Sequence, residues 1–233
     1  MKIGIICAME EELAEIIKDV KLELIAKHFH AGNDYLEYHC GNHLVIVVVS
    51  GIGKVNAAVT TQLMIDKFSP DKIINVGVAG SLNKGLIFGD VVVAEDLVQH
   101  DFDITPFGVK LGQIARMDIF AFPTDVQLKQ KIVNDIVLPE NKVVKGRIVS
   151  GDQFIDDKVK AEFLANEFEA LACEMEGAAI AHVCYLNNVP VCVIRSLSDM
   201  AGQHGIAIHS FNDLKNMAAS RAAMVVSSLL EKI

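Results

Sequence analysis

Acidic side chains gather where apolar runs of this chain end. The first run stops at Ala8-Met9-Glu10-Glu11-Glu12. Three consecutive acids suit a helix start, because carboxylates are favoured at its positive end. Their side chains diverge, so at most one or two can face a cleft. A second stretch, Cys173-Glu174-Met175-Glu176-Gly177, sets two carboxylates around a methionine between two apolar runs. Buried acids are costly without partners. A ligand diol, such as a sugar's, is one partner whose hydroxyls a carboxylate can accept; a helix-terminal Glu beside an exposed Glu is the plainer alternative. A third stretch, Arg195-Ser196-Leu197-Ser198-Asp199, puts an acid four residues after an arginine. That is either a salt-bridge pair or an acid tuned by burial for proton transfer.

Small residues punctuate the same kind of place. Ser50-Gly51-Ile52-Gly53-Lys54 and Asn75-Val76-Gly77-Val78-Ala79-Gly80-Ser81 are tight turns, or points where backbone comes close to a ligand. Neither is a Walker A or GxGxxG motif. In Ser150-Gly151-Asp152-Gln153-Phe154-Ile155, Phe154 is either core or a plate for a flat ligand. His39, Cys40 and His43 surround a Gly-Asn turn, which reads as a hairpin surface rather than a metal site, and no other ligands cluster nearby. The chain has no GxSxG elbow, so acyl-enzyme chemistry has no support.

The elements that must hold these residues follow from periodicity. Strands are expected over 2–7, 35–40, 44–50, 72–77, 90–95, 143–150, 171–175 and 189–197, several of them continuous β-branched runs such as LVIVVV. Helices are expected over 10–20, 55–68, 125–137, 157–168, 176–186 and 211–230, with 102–122 irregular. Alternating strands and helices imply an α/β fold: a mixed, largely parallel central sheet flanked by helices on both faces, in a single domain over 1–233. Ligands of such folds sit beyond the C-terminal strand ends. The acids, small turns and Phe154 all fall there.

Composition narrows the class. The 233 residues carry a net charge of −9 without clustered Lys or Arg, so neither nucleic acid nor an anionic membrane is an expected partner. The five cysteines are odd in number, lack CxxC spacing and lie mostly in apolar runs, which suits buried free thiols in a reducing cytoplasm. MKIGIICAMEEE does not read as a signal peptide, and no stretch approaches a membrane span of ~20 apolar residues.

Taken in order, MKIGIICAMEEE, SGIGKVNAA, NVGVAG, FGDVVVAED, HDFDITPFG, VSGDQFI, CEMEGAAIAHVC, VPVCVIRSLSD and SFNDL resemble the bacterial 5′-methylthioadenosine/S-adenosylhomocysteine nucleosidases of the purine nucleoside phosphorylase superfamily, over nearly the whole chain. The resemblance implies a nucleoside phosphorylase-like three-layer fold and hydrolysis of the bond between adenine and a 5′-substituted ribose, without metal or organic cofactor. It implies that Asp199 protonates adenine N7 and that Glu12, helped by Arg195, activates water. Glu176 would hold the ribose hydroxyls, with Met175 packed on the sugar. Phe154 would stack on adenine and the Ile155 backbone would read its edge. Met9, Ile52 and Phe211 would line the sugar and 5′-thio pocket, and Val78 and Ser198 fall in the same binding set. Ile104 and Phe107 would come from the partner subunit of a homodimer. The chain departs from many relatives at Val78, where they carry serine, and from some near Ala115, where they carry proline. The rival readings are a purine nucleoside phosphorylase, an aminodeoxyfutalosine nucleosidase and a non-catalytic nucleoside-binding module. A carboxylate at Glu12 would repel phosphate, and binding alone needs no acid over N7.

Overall fold

The computed structural model describes residues 1–20, 23–203 and 206–233. The strands are β1 (Lys2–Cys7), β2 (Glu23–His30), β3 (Asn33–Cys40), β4 (His43–Val49), β5 (Lys72–Ser81), β6 (Val91–Gln99), β7 (Phe122–Pro123), β8 (Val143–Ser150), β9 (Ala170–Glu174) and β10 (Val191–Met200). The helices are α1 (Glu10–Asp19), α2 (Lys54–Phe68), α3 (Val126–Asp135), α4 (Lys158–Phe168), α5 (Gly177–Leu186) and α6 (Ile206–Leu230). The expected elements are all present. β2 and the two-residue β7 were not expected, and α6 begins five residues before its expected start.

The strands form one mixed sheet, but it is not largely parallel. Five pairings are parallel (β1–β4, β1–β5, β5–β10, β6–β8, β8–β9). Five are antiparallel (β6–β10, β2–β3, β3–β4, β5–β9, β6–β7). Hairpins and ring closure account for four of the five antiparallel pairings, the two-residue β6–β7 pair being the fifth. Hairpin connections build β2–β3–β4 onto one side. At the other, β5, β10, β6, β8 and β9 close into a five-stranded ring through the short Gly80↔Cys173 and Ser81↔Ala172 pairing. Closure satisfies edges that an open sheet would leave unpaired.

Helices cover both faces. One apolar cluster joins Ile16 of α1, Ile132 of α3 and Val225 of α6 to residues of β1, β4, β5 and β10. A second joins α2 and α5 to the opposite face through Met64, Ala178 and Ile180. α4 packs Leu164 and Phe168 against Val98 and Val149. Close packing is achieved with small contacts: a Cβ on Gly4 would lie 3.1 Å from Met64 Cγ. Cys7, Cys173, Cys184 and Cys192 are buried free thiols, and Cys40 is partly buried.

Candidate active site

The C-terminal ends of β1, β4, β5, β8, β9 and β10 surround a cavity of about 380 Å³. It is lined by Met9, Glu12, Ile52, Val78, Phe154, Ile155, Met175, Glu176, Ser198, Asp199 and Phe211, all named from the sequence. Gly80, Cys173, Glu174 and Ala201 line it as well. Arg195 lies fully buried among the site's carboxylates and is not part of the lining. Ile104 and Phe107 do not line this cavity; Phe107 is 85% exposed on the short turn Thr105–Phe107.

Glu12 serves helix and cavity together. It occupies the first turn of α1, and its Oε2 accepts from Ala8 N–H at 2.8 Å and Met9 N–H at 3.0 Å. Two backbone donors at the helix start are thereby satisfied. Oε1 accepts from Val78 N–H at 3.1 Å, which turns the carboxylate toward β5. Gly77 leaves the room: a Cβ there would stand 2.5 Å from Glu12 Oε1. Burial raises the Glu12 pKa above the usual carboxylate range, opposed by the charge of Arg195 and by the three backbone N–H groups.

Glu176 is the N-cap residue of α5 and is buried. Its Oε1 accepts from Gly53 N–H at 2.8 Å, and its Oε2 lies 3.8 Å from Arg195 Nη2. The glycine turn after β4 therefore aims a backbone donor at a carboxylate of the site. Gly53 needs its φ of +99° to do so, a conformation that disfavours other residues. Burial, then the neighbouring Glu174 charge, raise the Glu176 pKa.

Glu174 is the residue that sequence reading left without a role. Its carboxylate accepts from Ser150 Oγ–H, from Glu176 N–H at 3.1 Å and from Gly177 N–H at 2.7 Å. It also accepts from Arg195 Nε at 3.2 Å and Nη2 at 2.5 Å. Arg195 Nη2 donates to Asn75 Oδ1 at 2.7 Å as well. The help of Arg195 to Glu12 is electrostatic, since its hydrogen bonds go to Glu174, Asn75 and its neighbouring carbonyl.

Asp199 makes no pair with Arg195. The register of β10 against β5 shifts between Leu197 and Asp199, so Ser198 is an extra residue. Such a bulge re-aims the following side chain. Asp199 then projects into the cavity, 3% exposed, and accepts from Ser198 Oγ–H at 2.9 Å. Burial pushes its pKa to about 6, opposed by the Ser198 hydrogen bond and reinforced by Asp156. Phe154 is 45% exposed on the cavity wall and meets Phe211 edge-to-face at 5.9 Å, so it is not a core residue. His39, Cys40 and His43 sit at the β3–β4 hairpin, with His43 Nδ1 3.4 Å from the N-terminal nitrogen.

A cavity with four buried carboxylates, an apolar wall and a half-exposed aromatic plate suits a nucleoside. The phosphorylase superfamily model matches residues 2–231, and the chain belongs to that superfamily. Within it the chain belongs to the 5′-methylthioadenosine/S-adenosylhomocysteine nucleosidases. It is 40% identical to the one from Exiguobacterium sp. and 41% to the one from Shewanella pealeana, each over 100% of both chains. Solved structures agree. The Helicobacter pylori nucleosidase with butyl-thio-DADMe-Immucillin-A is 38% identical with a TM-score of 0.92, covering 100% of this chain and 99% of that one. A futalosine hydrolase from the same organism is 37% identical with a TM-score of 0.92, covering 100% and 98%.

Proposed function

We propose that this chain hydrolyses the N-glycosidic bond of 5′-methylthioadenosine and S-adenosylhomocysteine, releasing adenine and the 5′-substituted ribose. One observation carries the reading: a single cavity, in a chain of this family, holds Glu12 and Glu176 beside the buried Arg195 charge, and Asp199 apart from it with only the Ser198 hydroxyl, among the described residues, as hydrogen-bond partner. Cleavage moves the bonding electron pair onto the base and leaves positive charge on the ribose. Asp199 delivers its proton to N7, so the base leaves neutral. General acid help of this kind is worth ~10²–10⁴-fold. Glu176 takes the ribose hydroxyls, and with Glu12 its charge favours the cationic sugar. Water then bonds to the anomeric carbon, and Glu12 takes the water's proton. Phe154 stacks on adenine, Ile155 reads its edge, and Met175 packs on the sugar. Met9, Ile52 and Phe211 form the 5′ wall.

Hydrolysis is preferred over phosphorolysis because the Glu12 carboxylate and the Val78 side chain present a phosphate with repulsion and no hydroxyl donor. A second reading has one specific observation behind it: the likeness to a futalosine hydrolase supports aminodeoxyfutalosine, whose cleavage the same three acids would serve. The exposure of Phe107 supports a homodimer of single-domain chains, 1–233 each, in which the partner's Ile104 and the partner's Phe107 complete the 5′ wall. No helix among the described residues is long and apolar enough to cross a membrane. The test is chromatography of purified protein with methylthioadenosine. Adenine release supports the reading; intact methylthioadenosine beside cleaved aminodeoxyfutalosine replaces it with the second.

A further inference from the structure

In the proposed reading Asp199 takes the base and Glu176 the diol, so a 5′ substituent leaves past the lining residues Met9, Ile52 and Phe211. The two outer elements of that wall carry opposite charges. Met9 is the N-cap of α1, and Glu11 follows it in the first turn. Phe211 lies on α6, and Lys215 follows one turn later on the same face. Lys215 Nζ donates to Glu11 Oε1 at 2.7 Å and stands 5.9 Å from the Phe211 ring centroid. The pair therefore bridges the two helices that bear the 5′ wall, one step outside it, with side chains 25% and 42% exposed. An ammonium has three donors and a carboxylate about four acceptor positions, so each partner keeps capacity for a further charge.

We propose that the Lys215–Glu11 pair docks the charged end of an α-amino-acid 5′ tail, its carboxylate on Lys215 and its ammonium on Glu11. The inference rests on the proposed nucleosidase reading and deepens it. In S-adenosylhomocysteine two methylenes separate the 5′ sulfur from the carbon bearing both charges, and Lys215 Nζ stands 5.9 Å from the ring of the wall residue Phe211. Methylthioadenosine ends at the sulfur's methyl and gains nothing from the pair. The four charges alternate in sign, and a site with one charge of each kind discriminates a zwitterion from an uncharged chain of equal length.

The experiment compares kcat/KM for S-adenosylhomocysteine, methylthioadenosine and 5′-butylthioadenosine, the uncharged tail. It is run on wild type, Lys215→Met and Glu11→Gln. Each substitution is expected to lower the adenosylhomocysteine value roughly two- to fivefold, the scale of partly exposed charge contacts, and to leave the other two unchanged. Added salt should shrink the wild-type preference in the same direction. An unchanged adenosylhomocysteine value overturns the subsite. So does a parallel fall for all three substrates, which a merely structural bridge would give. Wild-type protein that cleaves none of the three overturns the nucleosidase reading, and the subsite with it.

Discussion

Replacing Gly77 by alanine tests whether Glu12 must sit where the structure places it. Gly77 lies within β5 and does not have positive φ, so alanine can take its backbone conformation. The new Cβ would lie 2.5 Å from Glu12 Oε1, 3.1 Å from its Cδ and 3.3 Å from Arg195 Nη1. Carbon and oxygen do not approach so closely, so the carboxylate must retreat by roughly half an ångström or more. Retreat lengthens the 3.1 Å bond from Val78 N–H and moves the water-activating oxygen off its line. Misplacement near 1 Å can cost on the order of 100-fold in rate. Overpacking itself should cost ~1–3 kcal/mol of stability, which a domain of this size can survive. Glu176 and Asp199 are untouched, so KM should stay within a few-fold. The assay is steady-state adenine release from methylthioadenosine, paired with circular dichroism and a thermal melt. A folded Gly77→Ala protein with wild-type kcat would refute the placement of Glu12 as water activator.

Asp199→Asn should lower kcat by ~10²–10⁴-fold while the protein stays folded; near wild-type turnover would remove Asp199 as the acid. The same variant should be the more stable protein at high pH. The folded pKa of about 6 lies above the ordinary 3.8, so wild type loses stability as pH rises through that window, by on the order of 3 kcal/mol in full. Melting temperatures should then show a gain for Asp199→Asn at pH 8 that fades toward pH 4. Because Asp199 must hold its proton while Glu176, raised to about 7, must lose its own, kcat/KM should fall as pH rises above about 7; a flat profile from about pH 7 to 9 would contradict this. Glu176→Gln should depress kcat and kcat/KM together, since its charge matters most as the ribose becomes cationic; a rise in KM alone would deny it that role.

Much of the site was legible because chemistry concentrates at strand ends. Continuous β-branched runs marked the strands, and the acids and glycines that follow them fell around one cavity. What stayed hidden depended on pairing far along the chain. β2 reads ELIAKHFH, an edge strand with a register shift between Leu24 and Ala26, so its alternation is broken. Ring closure rests on two residue pairs between β5 and β9, too few to leave a pattern in either segment. By spacing, Arg195 and Asp199 read either as a salt-bridge pair or as an arginine near a burial-tuned acid. The bulge at Ser198 sends them apart, and a bulge has no reliable sequence mark. Glu174 looked ordinary because its partners, Ser150, Arg195 and the α5 backbone, come together only in the fold.

The central claim is that water, not phosphate, takes the ribose. Its most direct test is the identity of the sugar formed from methylthioadenosine in phosphate buffer, with the rate followed as phosphate is raised. Free 5-methylthioribose at a rate that phosphate does not increase is the predicted result. Accumulation of 5-methylthioribose 1-phosphate, at a rate that climbs with phosphate, would contradict the roles given to Glu12 and Val78.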